Sequence, residues 1–388
     1  MPVRNRFAEM LPEIRAWRRD LHENPELLFD THRTSALVAE RLRAFGCDEV
    51  VEGIGRTGVV GVIRGRETGS GRVVGLRADM DALPIEEATG APWASRVPGR
   101  MHACGHDGHT AMLLGAAKYL AETRGFDGTV LVIFQPAEEG GGGGREMVAD
   151  GMMERWGVSE VYGMHNWPGR PVGSFAIRAG TFFAATDTFE VTVEGKGGHA
   201  AKPQETVDPT VTAAHLVLAL QSIVSRNADP VAQVVVSVTA VESSSKAFNV
   251  IPARVTLRGT VRTMTRETRE MAEARLKAIA EATCMAFGAT ARVAYHHGYP
   301  NMVNHERETE FAREVAREVS GACDEAPLVM GGEDFAYMLE ARPGAYVLIG
   351  NGDTAPVHHP GYDFNDEAIP AGCSWLAGMA EARMPIHG

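Results

Sequence analysis

The sequence has little cysteine, no long hydrophobic segment and no excess of basic residues. The 5 Cys among 388 residues are scattered, and no two have the spacing of a zinc finger or a CxxC redox motif. They indicate neither a disulfide framework nor a redox protein, and a reducing, cytoplasmic setting is predicted. No run reaches the roughly 18 apolar residues of a membrane span. The N-terminus lacks the apolar core of a secretory signal, so we expect no membrane partner.

The charge balance excludes a further class of partner. The chain carries 38 Lys+Arg against 50 Asp+Glu, a formal net charge of −12, so we expect no nucleic-acid partner. Hydrophobic residues make up 44% and charged residues 23%, which is ordinary for a globular protein with a large core. The length predicts two domains, or one domain that carries an insertion.

Short, continuous apolar runs occur near both ends of the chain, with helical patterns between them. The runs lie at 73–78, 129–134, 161–164 and 346–349, and the clearest helix is at 110–122. Continuous runs are typical of strands that are buried on both faces of an α/β sheet. Residues 1–183 and 298–388 are therefore predicted to form one discontinuous α/β domain.

The middle of the chain shows a different pattern. Alternating strands are predicted at 187–194, 234–238, 255–261 and 290–295, and helices at 209–223 and 272–286. Alternation is typical of strands with one buried face, and the order βαββαβ is that of a ferredoxin-like sandwich. Residues 184–297 are therefore predicted to be an inserted ferredoxin-like (α+β) domain.

Residues that suit metal binding or catalysis lie beside these continuous runs. They are Asp79 and Asp81 after the first run, Glu138 and Glu139 after the second, His165 after the third, His358 and His359 after the last, and Cys104 and His106 before the clear helix. In open α/β sheets, ligands bind outside the carboxyl ends of the strands. If the runs are parallel strands, all of these side chains meet at one edge.

These side chains offer thiolate, imidazole and carboxylate ligands. Such a mixture suits borderline ions such as Zn²⁺, and also Mn²⁺, Co²⁺ or Ni²⁺. A thiolate has enough lone pairs to bridge two ions, and one of the paired glutamates is then free to act as a general base. The residues alone predict a metal site, with ligands enough for two divalent ions. They leave open which of Glu138 and Glu139, and which of His358 and His359, is a ligand.

At these residues the sequence resembles a family of dinuclear-metal amidohydrolases and peptidases that includes hippurate hydrolase, aminoacylases and auxin-conjugate hydrolases. The matching motifs are RADMDALP (77–84), MHACGHDGHTAMLLGAA (101–117), FQPAEEG (134–140), MHNWPG (164–169), GKGGHAAKP (195–203), FNVIP (248–252), GGEDFAYM (331–338) and VHHPGYDFND (357–366). The resemblance implies a zinc-peptidase-like α/β catalytic domain, with the inserted domain as a lid and dimerisation domain.

The resemblance also implies which residues bind the two metal ions. The expected ligands are Cys104, as the bridge between the ions, and His106, Glu139, His165 and His358. His358 is preferred because the family's histidine stands two residues before a proline, which is Pro360 here. His359 is the fallback.

Two carboxylates have implied roles beside the metal. Glu138 resembles the general acid and base, which takes a proton from the attacking water and passes it to the leaving amine. Asp81 resembles a carboxylate that orients a ligand histidine. Asp79 stands where more distant relatives have a histidine ligand, so its contact with metal is left open.

Three residues of the inserted domain complete the implied site. His199 resembles a residue that reaches the active site of a partner subunit and stabilises the oxyanion. Asn249 resembles a contact to the substrate carboxylate, and Arg262 is a second candidate because guanidinium suits a carboxylate. A lid histidine that completes a neighbour's site requires an oligomer, so a homodimer or homotetramer is expected.

The resulting hypothesis is metal-dependent hydrolysis of the amide bond of small N-acyl-L-amino acids, such as hippurate and N-acetyl-amino acids. The products would be a carboxylic acid and a free amino acid. Three alternatives to this hypothesis remain. The first is a dipeptidase or carboxypeptidase of the same fold. The second is a thiol enzyme with Cys104 as nucleophile beside His106 or His109, and the third is a metal-dependent binding protein without turnover.

Overall fold

The computed structural model describes residues 5–386, and the chain divides into two units. The first unit runs to Gly180 and takes up Val303–Pro327 and the chain from Asp334 onward. The second unit comprises Thr181–Met302 and Leu328–Glu333. The predicted insertion, 184–297, lies inside the long segment of the second unit, and its role as a lid and dimerisation domain stays a prediction.

The elements are numbered in chain order. Those before the second unit are α1 (Asn5–Glu23), α2 (His32–Ala44), β1 (Glu49–Ile54), β2 (Gly58–Arg64), β3 (Val73–Asp79), α3 (His106–Thr123), β4 (Thr129–Gln135), α4 (Gly143–Ala149), α5 (Met152–Arg155), β5 (Glu160–Trp167) and β6 (Phe175–Ile177). Strand β7 (Gly180–Phe183) lies at the point in the chain where the second unit begins. The second unit contains β8 (Ala185–Glu194), β9 (Gly198–His199), α6 (Pro209–Leu220), β10 (Val234–Ser243), β11 (Val250–Ile251), β12 (Arg254–Thr263), α7 (Arg266–Ala286) and β13 (Thr290–His297). The chain then continues with β14 (Met302–Asn304), α8 (Glu306–Ser320), β15 (Asp324–Glu325), α9 (Ala336–Ala341), β16 (Gly344–Gly350) and α10 (Ile369–Arg383).

An eight-stranded sheet forms the centre of the first unit, in the order β1-β2-β4-β3-β5-β16-β6-β15. β4, β3, β5 and β16 are parallel neighbours, whereas β1, β2 and β6 run antiparallel to a neighbour. The four parallel strands are buried almost throughout, as expected for strands that are covered on both faces. The predicted α/β fold class is confirmed, and the carboxyl ends of the four strands share one edge.

The helices α1, α3 and α10 pack against one another in the core of this unit. They meet at Gly115 of α3, where a Cβ atom would lie 2.6 Å from Ile14 Cδ1 and 2.8 Å from Cys373 Sγ. Glycine therefore allows the three helices to approach closely. Because α3 begins at His106, this packing fixes the candidate ligand at its N-terminus. Within residues 5–386, no helix has the length and apolar character needed to cross a bilayer.

Four antiparallel strands form the main sheet of the second unit, in the order β10-β12-β8-β13. Helix α6 begins at Pro209, and the carboxylate of Asp208 accepts the backbone N–H of Thr210 at 2.8 Å, which caps the helix. Side chains of α6 and α7 share one hydrophobic core with the sheet. The chain order is βαββαβ, so the predicted ferredoxin-like arrangement is confirmed.

A buried cluster of charges joins β3 and β4 to the chain at residue 334. The guanidinium of Arg77 donates to Gln135 Oε1 at 2.9 Å, to Asp79 Oδ2 at 2.7 Å and to Asp334 Oδ1 at 3.0 Å. Gln135 Nε2 also donates to Asp334 Oδ1 at 2.7 Å, and all four side chains are buried. The cation and the two carboxylates depend on one another, because a buried charge is costly without its partner.

We expect Arg77→Met to lower the free energy of unfolding of the first unit by about 3–5 kcal/mol, because it removes the cation between two buried carboxylates. Arg33→Met is the matched control. Arg33 pairs with Asp20 at 2.8 Å on the surface, where the loss of an ion pair costs about 1 kcal/mol or less. Urea denaturation measures both, and an equal loss in the two variants would contradict the stabilising role of the cluster.

Candidate metal centre

Ligand atoms from separate strands and loops meet at the carboxyl edge of the sheet in the first unit. Three groups each hold their ligand atoms within 4.8 Å of one another: Cys104, His106 and His165; Cys104, Glu139 and His358; and His106, Glu138 and Glu139. Because these groups share members, they form a single cluster. The structure therefore brings the five predicted metal ligands and the predicted general base to one place.

Two imidazoles present Nε2 to this cluster. His165 Nδ1 donates to the carbonyl oxygen of Asn166 at 2.6 Å, and His165 Nε2 lies 3.3 Å from Cys104 Sγ. His106 Nδ1 donates to the carbonyl oxygen of Asp81 at 2.8 Å. His106 Nε2 is buried and has no hydrogen-bond partner among residues 5–386. Hydrogen bonds of this kind orient metal-binding histidines in proteins, so both rings are arranged as ligands would be.

The carboxylate of Asp81 fixes the turn that carries both glutamates. Its oxygens accept the backbone N–H groups of Glu138 at 2.9 Å and of Glu139 at 3.1 Å. Ala137, which precedes them, has a φ of +54°, a left-handed conformation that is unfavourable for a residue with a Cβ atom. Asp81 contacts His106 Nδ1 through its backbone carbonyl at 2.8 Å and through its carboxylate at 3.5 Å, and the same carboxylate holds the turn of the predicted base.

The loop after β16 brings one of its two histidines to the cluster. His358 Nε2 lies 3.3 Å from Glu139 Oε1, and the backbone N–H of His358 donates to the carbonyl oxygen of Ala103 at 2.7 Å. His358 has a φ of +65°, so it too is held in a left-handed conformation. His359 is exposed and its Nδ1 accepts the N–H of Gly361 at 3.0 Å. None of the potential ligand groups within residues 5–386 includes His359.

Both carboxylate oxygens of Asp79 have partners. Oδ1 accepts from His109 Nδ1 at 2.6 Å, and Oδ2 accepts from Arg77 at 2.7 Å and lies 3.7 Å from His106 Nε2. His109 Nε2 accepts the backbone N–H of Asn166 at 2.9 Å, so both of its nitrogens are occupied. The sequence suggests His109 only as a partner for a nucleophilic cysteine. Its position three residues after His106 on α3, on the same helix face, is the signal that places it in the site.

An excess of negative charge dominates the electrostatics of the cluster. Burial, followed by the charges of Glu139, Glu138 and Asp79, raises the pKa of the Cys104 thiol well above its usual value. Burial by itself would lower the pKa of His106, but neighbouring carboxylates, Asp79 first among them, raise it to about 10. Divalent cations would neutralise the negative charge of these carboxylates and would favour the deprotonated, thiolate form of Cys104. The sulfur, nitrogen and oxygen donors therefore fit a pair of borderline metal ions.

The same charge argues against Cys104 as a covalent nucleophile. Reactive cysteines have a lowered pKa and lie in electropositive, partly exposed surroundings. Cys104 is buried beside carboxylates that raise its pKa. Its surroundings suit a metal ligand and not a free nucleophilic thiolate.

In the second unit, two of the three predicted substrate-contacting residues lie side by side. Strand β9, which contains His199, pairs with β11, and the backbone N–H of Ala200 donates to the carbonyl oxygen of Asn249 at 3.0 Å. Both His199 and Asn249 are exposed. Arg262 lies on another element, β12, where its guanidinium donates to the carbonyl oxygen of Val261 at 3.0 Å. The roles of all three residues stay predictions.

Comparison with known proteins decides the family. Residues 75–382 match the sequence profile of peptidase family M20/M25/M40. The chain belongs to the M20 family. This M20 chain is 41% identical over 378 residues to a hippurate hydrolase of Campylobacter jejuni, an alignment that covers 96% of this chain and 97% of that protein. It is 40% identical over 359 residues to thermostable carboxypeptidase 2 of Saccharolobus solfataricus, with 90% of each protein covered.

A solved structure extends the likeness from sequence to fold. A dinuclear metal-binding peptidase of the M20 family from Bacillus subtilis superposes on the M20 chain with a TM-score of 0.85 at 35% sequence identity. The superposition covers 97% of this chain and 99% of that one. The predicted family and enzyme class are confirmed, and the protein is a metal-dependent amidohydrolase.

We expect removal of metal from this M20 amidohydrolase to lower its thermal unfolding midpoint by several degrees, because a ligand at 1,000 times its Kd adds about 4 kcal/mol of stability. Cys104→Ala should bind less metal and lose most of this shift. Cys373→Ala is the control, since it removes a buried thiol that donates to the carbonyl oxygen of Met112. Thermal melts with and without EDTA, together with metal analysis, measure both effects. An EDTA-induced shift of the unfolding midpoint that is equal in the two variants would show that Cys104 is not a metal ligand.

Proposed function

We propose that this chain hydrolyses the amide bond of N-acyl-L-amino acids, of the hippurate and N-acetyl-amino-acid type, to a carboxylic acid and a free amino acid. The observation that carries the proposal is the position of Glu138, whose carboxylate lies in one group with His106 and Glu139. A buried carboxylate beside a metal centre is what amide hydrolysis by an activated water requires. Similarity to a hippurate hydrolase supports the choice of substrate.

The metal centre in this proposal takes two divalent ions, Zn²⁺, Mn²⁺, Co²⁺ or Ni²⁺. Cys104 would be shared between the ions, and the remaining ligands would be His106, Glu139, His165 and His358. When bound, the ions would polarise the scissile carbonyl and lower the pKa of a water molecule. Cys104 is a free thiol, and a reducing, cytoplasmic compartment would keep it available as a ligand.

Glu138 moves the protons of the reaction. Its backbone N–H donates to the Asp81 carboxylate and the residue is 7% exposed, so its backbone is held in place and its side chain lies away from bulk solvent. Glu138 takes a proton from the water whose oxygen attacks the carbonyl carbon. It then gives that proton to the amide nitrogen as the carbon–nitrogen bond breaks, so one carboxylate serves as base and then as acid.

Three residues of the second unit hold the substrate and the developing charge in this proposal. The imidazole of His199 stabilises the oxyanion in the active site of a neighbouring subunit. The side chains of Asn249 and Arg262 bind the carboxylate of the amino-acid part of the substrate. The active form is then a homodimer or a homotetramer.

Dipeptidase or carboxypeptidase activity is the second candidate, and similarity to a thermostable carboxypeptidase favours it. The same residues would cleave a peptide bond, so the distinction lies in the substrate. A panel of hippurate, N-acetyl-amino acids and matched dipeptides, assayed with each of the four metals on reconstituted protein, separates the two activities. Faster cleavage of the peptides would overturn the leading proposal, and no turnover on the whole panel would favour a binding protein.

We expect Glu138→Gln to lower kcat for hippurate by about 10²–10⁴-fold, because a neutral amide cannot accept a proton from water. Its metal content should equal that of the unaltered chain, since Glu138 is not a proposed ligand. Glu308→Gln makes the same change at a buried glutamate of α8 and should keep full activity. Steady-state kinetics and metal analysis test both variants. Turnover by Glu138→Gln close to that of Glu308→Gln would reject Glu138 as the base.

A hybrid dimer tests whether His199 acts in the neighbouring subunit. We expect His199→Ala and Glu138→Gln chains to be nearly inactive as homodimers. A hybrid of the two, purified through different affinity tags, should recover about half of the unaltered activity per dimer, because one of its two sites has both residues intact. If His199 serves its own subunit, neither site of the hybrid is complete, and an inactive hybrid would contradict the proposal.

A further inference from the structure

We propose that Asn166 is a positioning residue of the metal centre, which sets Cys104 against His165 and against the loop of His358. This inference rests on the metal site of the proposed function and adds a residue to it. Asn166 follows His165 on β5 and is fully buried. It therefore acts through the residues that it contacts and not on the substrate.

Both ends of the Asn166 side-chain amide are occupied. Nδ2 donates to the carbonyl oxygen of Cys104 at 2.6 Å, and Oδ1 accepts the hydroxyl of Tyr362 at 2.7 Å. These partners are 62 and 196 residues away in the chain. Since a carbonyl oxygen only accepts, the contact with Cys104 fixes which end of the amide faces it. One side chain thus joins three segments that carry candidate ligands.

The chain beside Cys104 is packed directly against this amide. Gly105 has a φ of +84°, and a Cβ atom there would lie 2.3 Å from Asn166 Nδ2 and 2.4 Å from the Tyr362 hydroxyl. Only glycine allows so close an approach. The position of Cys104 therefore depends on where the Asn166 amide and the Tyr362 hydroxyl lie.

The loop of His358 is attached to the same point. The backbone N–H of Tyr362 donates to the carbonyl oxygen of His359 at 2.9 Å, which closes the turn between these residues. At the other end, the N–H of His358 donates to the carbonyl oxygen of Ala103 at 2.7 Å. The bond between Tyr362 and Asn166 consequently sets the loop of His358 relative to β5.

A buried series of hydrogen bonds anchors Asn166 to the sheet. Its backbone N–H donates to His109 Nε2 at 2.9 Å, and His109 Nδ1 donates to Asp79 Oδ1 at 2.6 Å. Arg77 donates to the other oxygen of Asp79 at 2.7 Å. His109 accepts at Nε2 and donates at Nδ1, so it has one tautomer. Asn166 is therefore held to β3 by hydrogen bonds within the protein.

This anchoring matters because a thiolate shared by two cations tolerates little displacement. Residues that hold metal ligands in place typically contribute about 10–100-fold to metal affinity. Asparagine supplies a donor and an acceptor at a fixed separation, whereas leucine has a similar volume and supplies neither. Replacement by leucine should therefore weaken the centre while every ligand is still present.

The test compares Asn166→Leu with the same change at a second buried asparagine. Asn304 Nδ2 donates to the carbonyl oxygens of Arg178 and Tyr346, both at 2.9 Å, and Asn304 contacts none of the proposed ligands through these bonds. Each full-length variant is stripped with a chelator and titrated with Co²⁺. The readouts are the Kd for Co²⁺ by chelator competition and the thiolate-to-cobalt charge-transfer absorption, neither of which needs substrate.

We expect Asn166→Leu to bind Co²⁺ about 10–100-fold more weakly than the unaltered chain, with a weaker charge-transfer band. Asn304→Leu should match the unaltered chain in both readouts, even if its thermal stability falls as much. Asn166→Leu with unaltered Kd and band would overturn this inference alone. An unaltered chain without any thiolate-to-cobalt band would overturn the proposed metal site as well, so the two failures are distinguishable.

Tyr362→Phe keeps the test decisive if Asn166→Leu does not fold. It removes one hydroxyl from a buried ring and leaves the donor of Asn166 to Cys104 in place. We expect a loss of Co²⁺ affinity that is smaller than for Asn166→Leu, with a shifted or weaker charge-transfer band. Kd and band equal to those of the unaltered chain would overturn the positioning role.

Discussion

Negative charge is concentrated where the parallel strands of the first unit end, and three of the carboxylates there are compensated in different ways. Asp79 is met by Arg77 and His109 from within the protein. Asp81 is met by two backbone N–H groups. Glu139 has His358 at 3.3 Å, and metal ions would supply the remaining positive charge. A buried charge without a partner is costly in free energy. Each carboxylate therefore requires a cation or a hydrogen-bond donor beside it.

Three residues with an unusual backbone conformation direct side chains towards this cluster of charges. Ala137 and His358 are left-handed although both have a Cβ atom, and Gly105 is left-handed beside Cys104. Each lies next to, or is, a residue of the cluster. Hydrogen bonds from distant segments hold these conformations, as is typical where backbone strain occurs at functional sites. The direction of a functional side chain is thus set by contacts that are far away in sequence.

The parts of the fold that were predictable are those that depend on burial. Continuous apolar runs became β3, β4, β5 and β16, because two covered faces leave no polar positions in a strand. β2 is equally buried, but it runs antiparallel to β4. The direction of a strand depends on the strand that it pairs with, and the local sequence pattern does not indicate that partner. In the site, motifs predicted which residues meet. The hydrogen bonds from the backbone of Glu138 to the Asp81 carboxylate and the amide contacts of Asn166 were not predictable, because nothing in the sequence indicates that these segments meet.

The discontinuous first unit has a consequence for how the protein is made. On the ribosome, Cys104 and His106 emerge early, and the whole of Thr181–Met302 is translated before His358 and α10. Helix α3 packs against both α1 and α10, so the core of the first unit is incomplete until α10 has left the exit tunnel. With His358 as a proposed ligand, the metal centre would be complete only after the second unit has been translated, and the Cys104 thiol would lack this partner until then.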